Sequence, residues 1–217
     1  MYPTCLCAWY QSSPRASHMM IVKRILRYLK CCPSTSLWYP RSNDFSLIGY
    51  SNSDFGCCKL NVKSTTAGCQ FFGTQLITWQ CKKQTTVALS TYEAEYVSAS
   101  SCCSQILWIQ QQMRDYGLQF LDTPIFVENE AAINITKNPV QHSKTKHIEI
   151  RHHSIRDCYE KKLIRIDYIH TDDQRADFYT KPFDKTRFNY LLKLNGLKNL
   201  FSGKVVECVA EADGDQK

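Results

Sequence analysis

The spacing of hydrophobic positions changes once along the chain, near residue 44. Before it, Met19-Met20-Ile21-Val22-Lys23-Arg24-Ile25-Leu26-Arg27-Tyr28-Leu29-Lys30 repeats with the helical period, apolar residues on one side and basic residues on the other. Pro33 has no amide hydrogen to continue the ladder, so Cys31-Cys32-Pro33-Ser34 closes that helix. The first eighteen residues offer Ile21, Ile25, Tyr28 and Leu29 no obvious partner. An exposed or loosely docked helix is therefore expected in residues 1–43.

After Asp44 the pattern shortens to strands. Phe45-Ser46-Leu47-Ile48-Gly49-Tyr50-Ser51 alternates, and Gly68-Cys69-Gln70-Phe71-Phe72 turns through Gly73-Thr74-Gln75 into Leu76-Ile77-Thr78-Trp79 as an antiparallel hairpin. From about Thr91 to Tyr116 the helical period returns, with Tyr96, Ala99, Cys103, Ile106 and Met113 on one stripe and Gly117 as the stop. Pro124-Ile125-Phe126-Val127-Glu128 reads as a strand, Ala131–Thr136 and about Lys144 to Glu160 as helices, and Leu163–Ile169 as the last strand. Thr171 and Gln174 form a candidate capping box for a helix through Asp177, and a short helix spans about Lys185 to Leu194. This order predicts an α/β fold: a mixed five-stranded sheet whose antiparallel hairpin set joins parallel strands through a crossover helix, with helices on both faces.

In such a sheet, chemistry gathers where strand ends meet helix N-termini. The acids at those places are Asp54, Glu93, Glu128 and Asp177. Clustered carboxylates raise one another's pKa unless a cation joins them, and hard oxygen ligands suit Mg²⁺ or Mn²⁺. Two such ions about 4 Å apart would activate water and stabilise the leaving oxygen of a phosphodiester. Glu93 and Glu95 lie about 200° apart around their helix, so they cannot serve one site. Glu93, one turn from Tyr96 and Val97, is read as inward, and Glu95 as facing away. Glu93 has a second reading, as the N3 glutamate of a capping box begun by Ser90.

Composition narrows the field. A hydrophobic share of 43% and a charged share of 22% describe a globular chain, and a net charge of +7 favours an anionic partner, nucleic acid first. No apolar run approaches the ~20 residues of a spanning helix and no signal peptide precedes the fold, so an intracellular protein of cytoplasm or nucleus, with no membrane partner, is expected. The twelve cysteines contain no Cys-x-x-Cys spacing and read as reduced thiols used as small hydrophobes.

Longer motifs carry a family resemblance. Leu47-Ile48-Gly49-Tyr50-Ser51, Lys63-Ser64-Thr65, Lys83-Gln84 with Val87-Ala88-Leu89-Ser90, and Glu93-Ala94-Glu95-Tyr96 resemble the ribonuclease H domain of copia-type LTR retrotransposon polyproteins. So do Asn138–Ile148, Asp173-Gln174, Ala176-Asp177 and Thr180-Lys181-Pro182, and the resemblance runs from about Ser12 to Leu197. Residues 14–41 resemble the piece that follows the polymerase in the same polyprotein. The implied organisation is a polymerase/connection remnant in 1–43, a ribonuclease H-like domain in 44–197 and a disordered tail in 198–217. Met1 would then begin a fragment of a longer ancestral frame.

The resemblance implies two-metal hydrolysis of the RNA strand of an RNA–DNA hybrid, with Mg²⁺ or Mn²⁺ as cofactor and the reverse transcriptase part of the polyprotein as original partner. Glu93 and Asp177 match family carboxylates, whereas Asn52 stands where an aspartate is expected and Glu128 replaces another. Asp54 matches a second acid of the first motif, roughly 7 Å along the strand from position 52. A neutral amide at position 52 loses charge and a ligand, so weak or absent activity is expected. Because Asn52 and Glu128 must reach one pocket, the strand near Phe45 should lie between the 67–72 and 125–128 strands.

Lys137 to Arg165 holds eight Lys/Arg against three Asp/Glu. It reads either as a solvated helix face or as a phosphate-contact surface using Lys144, Lys146, His147 and Arg151. Trp79, Trp108 and Tyr116 are read as core residues. Two functions remain open at this stage: a weakened ribonuclease H, and a catalytically dead remnant that at most binds nucleic acid.

Overall fold

The structure, a computed structural model, describes residues 2–56, 62–138 and 153–199. These fall into two units, one drawn from the stretches up to Pro40 and from Pro182 onward, the other Arg41–Lys181. The first unit begins with helices α1 (Tyr2–Trp9) and α2 (Ala16–Cys31) and strand β1 (Thr35–Leu37). The second contains strands β2 (Leu47–Asp54), β3 (Thr65–Phe72) and β4 (Gln75–Lys83), then helix α3 (Thr91–Asp115) and strand β5 (Thr123–Val127). Helices α4 (Glu130–Lys137) and α5 (Ser154–Glu160), strand β6 (Ile164–Tyr168) and 3-10 turns at Thr171–Asp173 and Arg175–Tyr179 complete it. Helix α6 (Lys185–Leu194) and strand β7 (Leu197–Asn199) belong to the first unit.

The sheet order is β4-β3-β2-β5-β6. β2 pairs antiparallel with β3 and parallel with β5, so it is central, as the position of Asn52 and Glu128 required. Side chains alternate across β2. Gly49 faces α3 so closely that a Cβ there would lie 2.5 Å from Ile106 Cδ1. Ser51 bonds Ser98 of α3 at 2.9 Å. Tyr50 and Asn52 point to the other face, toward the Arg175–Tyr179 turn. On the α3 side, Tyr96, Ile106 and Ile109 pack with Ile125, Val127, Ile164 and Ile166 and with Ile133, Ile135 and Ile155. Each fully buried aliphatic side chain contributes roughly 1.5–3 kcal/mol, enough for this layer to hold the sheet together. The result is an α/β fold built on a mixed five-stranded sheet.

Three expectations need revision. Trp79, Trp108 and Tyr116 are 42%, 60% and 82% exposed, because each projects outside the stripe that α3 and the sheet share. Residues 198 and 199, expected in the tail, belong to β7, which pairs antiparallel with β1, from Thr35↔Asn199 to Leu37↔Leu197. Three-residue strands of this kind are too short to leave a periodic signal. Residues 182–194, expected in the ribonuclease-like part, group with the first unit. In that unit α2 buries none of its residues, and Tyr10 stacks on His18 at 4.3 Å. Lys144, Lys146, His147 and Arg151 lie outside the described residues.

The β3–β4 turn offers a check of this geometry. Gly73 has φ +59°, and a Cβ there would sit 2.5 Å from the Asp44 carbonyl oxygen. Gly73→Ala should cost about 2 kcal/mol, read as a lower urea midpoint at unchanged slope.

Candidate active site

The carboxyl end of β2 brings the candidate residues together. Asn52, 1% exposed, donates through Nδ2 to Asp177 Oδ1 and to Thr180 Oγ1, the latter at 2.8 Å. Asp177 is itself 1% exposed, and its Oδ1 also receives the Lys181 ammonium at 2.8 Å. Its position is set by Gln174, which accepts the Ala176 amide at 3.2 Å and donates to the Ser51 carbonyl at 3.1 Å. Arg175 anchors the same turn by lying 4.4 Å over Phe71 and 5.2 Å over Tyr50. Strand and turn are thus joined by a buried carboxylate with two donors, backed by a cation–π stack.

The structure reverses the expected roles of the two glutamates on α3. Glu93 is used as a cap: Ser90 Oγ accepts the Glu93 amide at 3.3 Å, and Glu93 Oε2 accepts the Leu89 amide at 2.7 Å. Glu95 does not face away. It is 7% exposed and lines the cavity at the end of β2, where Oε1 accepts the Ser53 amide at 2.8 Å and the Ser53 hydroxyl at 3.1 Å. The helical arithmetic holds, but its premise of one buried stripe fails here. Every residue from Glu93 to Ser100 is buried, so opposite sides of the first turns are both interior.

The cavity measures about 510 Å³, and Asn52, Asp54, Glu95, Glu128 and Lys181 all line it. Glu128, half-buried after β5, accepts a short hydrogen bond from the Thr171 hydroxyl. Lys181 was not singled out by sequence reasoning, although its i, i+4 spacing from Asp177 is the signal that finds it. Burial works against the Lys181 charge; the hydrogen bond and charge of Asp177, with Glu128 and Glu95 beyond, outweigh it and leave its pKa raised.

These residues do not fit a pair of divalent ions. Position 52 presents an amide N–H, not an oxygen, to Asp177, and the carboxylate oxygen it meets is already neutralised by Lys181. Among the described residues, no group of three His, Cys, Asp or Glu side chains is placed to hold a metal ion. The expected ligand set of Asp54, Glu93, Glu128 and Asp177 is not assembled, since Glu93 is bound to the Leu89 amide.

Burial pushes the Glu95 pKa up to about 7, with the Glu128 charge adding and the Ser53 hydrogen bonds and Lys181 opposing. The folded form therefore holds a proton that the unfolded chain releases near 4.5. Stability from this group is whole below the unfolded value and is lost as pH rises toward 7, by about 3 kcal/mol in all. Glu95→Gln should flatten that decline in urea midpoints measured between the two pH values, while Glu93→Gln should keep it.

Comparison with known proteins gives relatives by sequence. No family model matches the chain. It is 35% identical over 187 residues to the retrovirus-related Pol polyprotein from transposon RE1 of Arabidopsis thaliana, covering 85% of this chain and 13% of that polyprotein. It is 32% identical over 188 residues to the corresponding polyprotein from transposon TNT 1-94 of Nicotiana tabacum, covering 87% and 14%. The chain thus spans about an eighth of the length of these relatives. Among solved structures, it is similar to LC11-RNase H1 in complex with an RNA/DNA hybrid at TM-score 0.44 and 12% identity, covering 62% of this chain and 93% of that one. It is also similar to the N-terminal RNase H domain of rv2228c from Mycobacterium tuberculosis, at TM-score 0.45 and 7% identity, covering 68% and 98%. By sequence the chain is related to the retrovirus-related Pol polyproteins of transposons, matching one stretch of them over most of its own length, and its sheet has the order β4-β3-β2-β5-β6.

Proposed function

We propose that this chain is the ribonuclease H domain of a copia-type Pol polyprotein, a partner of RNA–DNA hybrids, with its hydrolysis of the RNA strand weakened chiefly at Asn52 and less at Glu128. The observation that carries the reading is the Asn52 amide, which donates to Asp177 where the family resemblance expects a second carboxylate. Glu95, Glu128 and Asp177 are the acids of the site, and Glu95 replaces Glu93 in that role because it lines the cavity and keeps one oxygen, Oε2, without a hydrogen-bond partner. Mg²⁺ or Mn²⁺ is the cofactor that the resemblance implies. The reverse transcriptase part of the longer polyprotein is the original partner on this reading.

Cleavage of a labelled RNA–DNA hybrid in Mg²⁺ and in Mn²⁺ tests it. Asn52→Asp should cleave on the order of 100-fold faster than the parent, the scale on which loss of one charge-stabilising group acts. Glu128→Asp alone should gain less, because it moves a charge by one methylene without adding one. In the Asn52→Asp background, Glu95→Gln should remove the gained cleavage and Glu93→Gln should leave most of it. A parent protein that cleaves as fast as Asn52→Asp would refute the assignment of position 52.

A further inference from the structure

We infer that Asn52 and Lys181 together take over the charge-balancing role of a bound divalent cation at Asp177, making the fold indifferent to such ions. The inference rests on the functional reading above only in its identification of the site. Three observations support it. Asp177 is 1% exposed, so bulk solvent does not screen its carboxylate. Both donors converge on the same oxygen, Oδ1: the Asn52 amide and the Lys181 ammonium. The Asn52 amide comes from strand β2 and ties the Asp177 segment to the sheet, while Lys181, four residues after Asp177, supplies the charge.

The chemistry is asymmetric at position 52. With an amide there, the contact is a hydrogen bond, and one ammonium balances one carboxylate. With a carboxylate there, two anions meet at hydrogen-bond distance inside the protein, and one ammonium is no longer enough. Ligand and ammonium would then compete for the same oxygen, and a dication, with twice the charge, is favoured over Lys181. Cation dependence is therefore latent in this pocket and is suppressed by a single amide. Lys181 contributes the other half: without it, Asp177 keeps the neutral Asn52 donor and loses the ammonium at Oδ1.

The test reads stability, not activity. Thermal unfolding of the full chain, Asn52→Asp and Lys181→Met is followed in EDTA and in about 10 mM MgCl₂, with NaCl at matched ionic strength as control. The parent melting temperature should not differ between MgCl₂ and NaCl. Asn52→Asp should rise by about 5 °C or more in MgCl₂, as for an ion present well above its Kd. Lys181→Met should rise by a smaller amount. A variant already unfolded in EDTA is scored by far-ultraviolet circular dichroism: recovery of the native spectrum on adding MgCl₂ supports the inference, and no recovery counts against it. Parent stabilisation by MgCl₂ beyond the NaCl control, or two variants that ignore MgCl₂, would overturn it. Mg²⁺-dependent stability of Asn52→Asp without hybrid cleavage would leave this inference standing and reject the ribonuclease reading alone.

Discussion

A carboxylate buried to 1% exposure has to be paired, and in this protein the pairing of Asp177 organises the site. Removing one partner of a buried charge commonly costs several kcal/mol, because the remaining charge is left in a medium that cannot solvate it. Asn52 and Lys181 supply that pairing at one oxygen. The turn carrying Asp177 is held at the same time by Gln174 on the Ser51 carbonyl and by Arg175 over Phe71 and Tyr50. Strand β2 therefore reads differently on its two faces. Gly49, Ser51 and Ser53 meet α3, while Tyr50 and Asn52 meet the turn.

That division explains why an amide at position 52 is compatible with an intact fold. An amide supplies a donor that a carboxylate cannot, and Asp177 accepts it. The local structure is well satisfied with Asn52, so an amide at this position carries no evident folding penalty. Glu95 shows the opposite balance. It is buried with Oε2 unpaired and a pKa pushed up to about 7, a cost in stability that packing alone does not require.

The sheet was legible in the sequence because alternation and turn chemistry agree there. The 47–54 strand, the Gly73 turn and the long α3 each show a local signal that the tertiary structure does not override. Strand ends pointed to Asp54 and Glu128, which line the cavity, and the family resemblance pointed to Asn52, whose amide reaches Asp177. The choice between Glu93 and Glu95 was not legible, since periodicity assigns one buried side to a helix and α3 begins with burial all round. The β1–β7 pairing was also invisible: Thr35-Ser36-Leu37 finds its partner more than 150 residues away, and no local pattern encodes that distance.

The central claim is that Lys181 and Asn52 occupy the electrostatic place of a cation at Asp177. A crystal of the parent protein soaked in Mn²⁺, with anomalous scattering recorded at the manganese edge, tests it most directly. The account predicts no anomalous peak within bonding distance of Asp177, with the Lys181 ammonium still hydrogen-bonded to Oδ1. A manganese peak shared by Asn52 and Asp177, with Lys181 displaced, would contradict it.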